Sequence, residues 1–154
     1  MPGAAARLVA IPAPVFYAVT FGAGIALDGA TRWRLEGPLA LRFAGWALLG
    51  IGLLIGPGSA IAFAVKGTAL NPVGEPTQLV TSGAYRLSRN PMYLGLALAY
   101  VGLALVLGRI GPRLLLPLPL LFINALVIPF EEERLRSRFG DAFASYCARV
   151  RRWV

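Results

Sequence analysis

Four stretches of this chain carry no charged side chain: residues 8–27, 43–65, 90–108 and 114–130, which are 20, 23, 19 and 17 residues long. A helix needs about 20 predominantly apolar residues to cross the hydrocarbon of a bilayer, within a range of roughly 17–25. Backbone amides in lipid must find partners inside the protein, and a helix is the way a single segment achieves this alone. Four such runs in 154 residues, at a mean hydropathy of +0.68, exclude an ordinary soluble domain, a disordered chain and a secreted disulfide scaffold. The expected fold is all-α, a polytopic transmembrane helical bundle forming one membrane domain over residues 1–154. Residues 1–65 supply its N-terminal helices and 66–154 a second half that includes the longest polar segment.

Several chemistries are excluded by what is missing. There is no histidine, so neither His-ligated haem or zinc nor a Ser-His or Cys-His couple is available. The single cysteine, Cys147, excludes an internal disulfide and a cysteine-based metal site. The net charge is +8, and arginine outnumbers lysine fourteen to one. These arginines flank apolar spans and accompany no nucleic-acid reader motif, so the expected partners are anionic membrane lipids and not nucleic acid. The Arg, Ala, Gly and Pro bias suggests a GC-rich bacterial genome, and hence an inner-membrane protein. The first apolar run lacks a small-x-small cleavage site and is expected to be a retained helix.

The first span is expected over about residues 12–27, starting at Pro12 and Pro14, with a polar link from Asp28 to Pro38. The second covers 39–65, where Gly50, Gly52, Gly56 and Gly58 allow close helix approach and Pro57 predicts a kink. A break at Gly56-Pro57-Gly58 would make five membrane segments out of four. Residues 66–92, with two Asn-Pro steps, are expected as a loop with little regular structure. A third span over 93–107, a tight turn over 109–113 and a fourth span over 114–130 then form an antiparallel hairpin. Beyond it, Leu135, Phe139, Phe143, Tyr146 and Val150 recur at helical spacing. With arginines around them they predict a C-terminal amphipathic helix on the cytoplasmic lipid surface. Four spans put ten basic residues on the side of both termini and the 66–92 loop, against five opposite, so both termini are expected to be cytoplasmic.

Two polar clusters are not explained by composition. One is the loop running from Gln78 into the third span; the other is Glu131-Glu132-Glu133 at the end of the fourth. Antiparallel neighbours place Asn90 and Glu131 at the same membrane level. Singly, each residue has a structural reading: Arg86 and Arg89 as topology signals, Tyr85 and Tyr93 as interfacial anchors, the glutamates as a charged helix start. Together they bring carboxylates, phenols, an amide and guanidinium groups to the mouth of a bundle.

The spacing Gly83, Tyr85, Arg86, Arg89, Asn90, Pro91, Tyr93, Gly95, followed one hairpin later by Glu131, Glu132, Leu135, Phe139, Gly140, resembles the isoprenylcysteine carboxyl methyltransferase and phospholipid methyltransferase superfamily. The resemblance covers about residues 74–152. It implies an integral membrane methyltransferase that uses S-adenosylmethionine on a small lipophilic or lipid acceptor. It further implies cofactor contacts at Gln78, Leu79, Val80, Tyr85, Arg89, Asn90, Pro91, Tyr93, Glu131 and Glu132. The residue types agree with the cofactor's groups, since an ammonium pairs with a carboxylate, a carboxylate with arginine or backbone amides, and a sulfonium with aromatic faces.

Two positions depart from those relatives. Asn90 stands where they usually carry histidine, so that position can hydrogen-bond but cannot titrate near neutral pH. Val127 stands where isoprenylcysteine enzymes carry an arginine that can hold the acceptor carboxylate, and Asn124 is the only polar residue nearby. A thiol, amine or hydroxyl acceptor is therefore expected over a prenylated cysteine carboxylate. Two other readings remain: a membrane reductase of related fold using a nicotinamide cofactor, and a non-enzymatic scaffold with a decayed site.

Overall fold

The computed structural model describes residues 11–32, 37–65, 67 and 77–154. Arg7, Lys66, residues 33–36 of the link and 68–76 of the 66–92 loop lie outside the described residues. The architecture is all-helical: α1 (Ala13–Thr31), α2 (Leu39–Val65), α3 (Pro91–Val106), α4 (Ile110–Leu115), α5 (Pro117–Phe122) and α6 (Ile128–Arg149). A π turn, Ile123–Val127, joins α5 to α6, so residues 110–149 run as one helical stretch of 40 residues. Among the described residues, three helical stretches are long and apolar enough to cross a membrane: Ala13–Thr31, Leu39–Val65 and Ile110–Arg149. Val19, Leu54 and Ile61, at 64%, 77% and 61% exposure, lie on outward faces that suit lipid.

The third apolar run makes a shorter helix than a full span. At 16 residues, α3 is about 24 Å long at 1.5 Å per residue, against a hydrocarbon core of about 30 Å. Pro91 sets its first turn, and Gly108 at φ 62° turns the chain immediately after it. The helix is accommodated by close packing on α2. A Cβ at Gly52 would meet the Ala99 nitrogen at 2.5 Å, and one at Gly95 the Gly56 nitrogen at 2.6 Å. Gly45 faces Gly102 in the same seam, whereas Gly50 and Gly58 face open space. Close approach was thus expected of four glycines in α2 and is made by Gly52 and Gly56, joined by Gly45. α2 itself is one continuous helix with Pro57 inside it.

Two boundaries also differ from expectation. Asp28, placed in the link, lies inside α1 and is 2% exposed, its Oδ1 accepting the Gly111 amide at 2.7 Å. That bond draws α1 on to Thr31 and pins it against α4. The expected turn over 109–113 is helical from Ile110, because Pro112 sits in the first turn of α4, where amides need no intrahelical acceptor. In the fourth span Pro117, Pro119 and Pro129 each remove an amide donor, and the π turn lies between the last two.

The core gathers Ala13 and Tyr17 from α1, Tyr93 and Tyr100 from α3, and Ile123, Val127 and Ile128 from the α5–α6 junction. Phe21 and Tyr17 meet the Tyr100 ring edge-on at 4.9 and 5.9 Å. The C-terminal helix is not one straight amphipathic rod. Gly140 takes φ 47°, ψ −120°, a conformation that favours glycine, and divides α6 in two. Beyond it Phe143 and Tyr146 are buried at 1% and 4%, so the expected apolar face packs onto the protein there, while Leu135 and Phe139 are only half-buried.

Candidate functional site

The polar loop becomes ordered as it approaches α3. Val80 is buried, and Gly83, at φ 63°, opens a 3-10 turn, Gly83–Arg86. This turn, in a segment expected to have little regular structure, drives Tyr85 inward to 5% exposure with its ring 5.3 Å from Phe63 of α2. The Tyr146 hydroxyl donates to the Tyr85 carbonyl at 2.7 Å, so the far half of α6 clamps the turn. Burial pushes the Tyr85 phenol above its usual range, with Glu131 and Tyr146 adding to the shift. The Tyr85 hydroxyl is therefore a neutral group at any physiological pH.

Ser88, 1% exposed, accepts the Asn90 amide on its Oγ at 3.1 Å and donates to the Arg152 carbonyl at 3.3 Å. Asn90 Nδ2 donates to that same carbonyl at 3.0 Å, and the Arg89 amide donates to the Arg151 carbonyl at 2.9 Å. Three consecutive loop residues thus grip the C-terminal tail. Asn90, where the resemblance implies histidine, serves here as an anchor for the backbone of residue 152. Pro91 follows as the first residue of α3 and is buried.

The neighbouring glutamates have different surroundings. Glu131 Oε1 accepts the Tyr93 hydroxyl at 2.7 Å, and no hydrogen bond from the described residues reaches its other oxygen. Glu132 is engaged by two arginines: Arg152 Nη2 lies 2.6 Å from Oε2, Arg152 Nε donates to Oε1 at 3.2 Å, and Arg89 Nη1 lies 3.4 Å from Oε1. This two-point grip raises the pKa of the Arg152 guanidinium, chiefly through its hydrogen bonds to Glu132. Arg89 Nη1 also donates to Cys147 Sγ, while its Nε is buried with no acceptor among the described residues. Glu133 is exposed.

Of the ten residues singled out, Tyr85, Arg89, Asn90, Pro91, Tyr93, Glu131 and Glu132 converge at this mouth, and Val80 is buried in the loop leading to it. Gln78 is exposed and Leu79 half-buried. Sequence reasoning missed Arg152, Ser88 and the hydroxyl of Tyr146. Arg152 sits in the run Arg151-Arg152-Trp153, where nothing in the spacing separates a lipid-facing charge from a partner of Glu132.

A family model described as phospholipid methyltransferase matches residues 41–142. No curated protein and no solved structure matches the chain. The matched span contains the loop, α3 and both glutamates, and stops before the tail residues that close the site.

Proposed function

Because the chain belongs to the phospholipid methyltransferase family, we propose that it transfers the methyl group of S-adenosylmethionine to a lipophilic acceptor. The observation that carries this reading is Glu131, fixed by Tyr93 through one carboxylate oxygen, with the other accepting no hydrogen bond from the described residues beside an ordered loop. Such an oxygen suits an ammonium group. The buried Nε of Arg89, which finds no acceptor among the described residues, suits a carboxylate. The cofactor carries both groups, so the residues present fit it; when bound, it supplies an electrophilic methyl carbon on a sulfonium.

The chain's own residues then have definable tasks. Tyr93 locks the Glu131 rotamer and leaves its free oxygen aimed by a rigid helix end rather than by a mobile side chain. Glu132 pairs with both Arg89 and Arg152, and so holds the tail across the loop. Tyr85, neutral and packed on Phe63, helps exclude water from the mouth. No titrating group replaces the family histidine, since Asn90 only donates to a backbone carbonyl. The reading therefore favours an acceptor that is uncharged when it binds and whose methylated atom, such as a thiol sulfur, loses its proton readily.

Calorimetry of the full chain in lipid nanodiscs with S-adenosylhomocysteine tests the proposal. Saturable binding with no response to NADPH supports it. Binding of NADPH instead supports the reductase reading, and binding of neither supports a scaffold.

A further inference from the structure

A half-open, groove-like cavity of about 400 Å³ lies between α3 and the α5–α6 junction, lined by Leu94, Ala97, Leu120, Leu121, Asn124 and Trp153. Its size falls within the range of about 300–1,000 Å³ typical of small-molecule sites. Among the described residues, no charged side chain lines it. It opens on the outer face of the bundle, where Leu121 is 63% exposed, and in a membrane that face meets hydrocarbon.

One polar group interrupts this apolar lining. Asn124 Oδ1 accepts the Trp153 indole N–H at 3.2 Å, while its Nδ2 donates to none of the described residues. An amide donor at membrane depth carries a desolvation penalty unless it gains a partner, so such residues mark ligand paths by default. The backbone supplies an independent sign. Asn124 lies within the π turn Ile123–Val127, and single π turns inside helices recur at functional sites. Both walls of the cavity also pass into the polar mouth within one residue. Leu94 follows Tyr93, which holds Glu131, and Trp153 follows Arg152, which holds Glu132.

We propose that this cavity holds the hydrocarbon chain of the methyl acceptor, and that Asn124 Nδ2 donates to an uncharged oxygen at the head of that chain. The inference rests on the methyltransferase reading and narrows it: the acceptor is a single-chain, neutral amphiphile bearing a hydroxyl or carbonyl oxygen. An anionic head has no cation to meet there, and a pure hydrocarbon leaves the amide unpaired.

The chain has three tryptophans, so full-length protein carrying Trp33→Phe and Trp46→Phe, in phosphatidylcholine nanodiscs, reports on Trp153 alone. The probes are a terminally brominated fatty alcohol, the matching brominated acid and the matching brominated alkane, read by fluorescence quenching. The alcohol is expected to quench saturably and more tightly than acid or alkane, and Ala97→Phe to remove the saturable component. Asn124→Leu is expected to weaken the alcohol about five-fold, the loss of one neutral hydrogen bond, and to leave the alkane unchanged. That selective loss is not a result that general misfolding produces. Quenching that rises linearly with probe content and ignores Ala97→Phe would mean bulk lipid only and overturn the proposal, as would acid binding equal to alcohol. S-adenosylhomocysteine calorimetry on the same discs separates the two readings. Cofactor binding with linear quenching rejects the cavity alone, whereas saturable quenching without cofactor binding rejects the acceptor role and leaves a lipid-chain site.

Discussion

Tyr93 and Glu131 are 38 residues apart in sequence, yet the Tyr93 hydroxyl lies 2.7 Å from Glu131 Oε1. The bond ties the first turn of α3 to the first turn of α6, and the Tyr93 carbonyl in turn accepts from the Tyr17 hydroxyl of α1 at 3.4 Å. Three helices therefore set the position of one carboxylate.

The first prediction concerns that carboxylate. Glu131→Gln should weaken S-adenosylhomocysteine binding about ten-fold or more, since truncating one partner of a desolvated charge pair costs roughly 2–5 kcal/mol. Tyr93→Phe should cost less, because the carboxylate survives and loses only its restraint. Glu133→Gln should have little effect, the side chain being exposed. Equal losses in Glu131→Gln and Glu133→Gln by calorimetry would point to a general charge effect at the helix start.

The adjacent glutamate should behave as a structural residue. Glu132→Ala leaves the half-buried Arg89 without its carboxylate partner and frees the tail, and should destabilise the protein by about 2–3 kcal/mol, the range of a charged hydrogen-bonding group. Arg152→Ala should cost less, because Arg89 keeps Glu132 and the Arg152 side chain is 35% exposed. Thermal unfolding in detergent measures both. A larger loss from Arg152→Ala would reverse the assignment.

The seam between α2 and α3 gives a third prediction. Gly95→Ala places a methyl 2.6 Å from the Gly56 backbone nitrogen, where no flexible side chain can yield. Overpacking of about 1–3 kcal/mol or more is expected. Gly50→Ala, which meets nothing within 4 Å, should be neutral or slightly stabilising in the same melting experiment.

The fourth concerns orientation. Ten basic residues on one side against five on the other predict cytoplasmic termini in a bacterial inner membrane. Reporter fusions after Val154 should be active only as cytoplasmic reporters, and an externally accessible C-terminus would refute this arrangement.

The fifth concerns the acceptor. Val127 is 2% exposed within the core, so the position that holds an arginine in isoprenylcysteine enzymes offers a carboxylate nothing. N-acetyl-farnesylcysteine should therefore be methylated far more slowly than a hydrophobic thiol or hydroxyl compound, as measured with labelled S-adenosylmethionine. Preferential turnover of the farnesylcysteine would require Arg86 or Arg89 to serve as the missing cation.

Hydropathy is a property of each segment by itself, since transfer to lipid adds up residue by residue along a helix. The four uncharged runs therefore determined an all-helical membrane fold, and the spacing from Gly83 to Gly95 picked out residues that the structure brings together with Glu131 and Glu132. The same local logic misjudged Asp28 and Pro112, because a buried carboxylate accepting a distant amide outweighs the polarity of its own segment. Pairing between distant segments has no such local record. Glu131 and Glu132 are adjacent and chemically identical, and only the placement of Tyr93, Arg89 and the tail leaves one with an oxygen that no described residue engages and pairs the other with two arginines. Asn90 as a tail anchor and Trp153 as a cavity wall likewise depend on a chain that reverses at Gly140 and returns to the loop, a path set by tertiary packing of Phe143 and Tyr146.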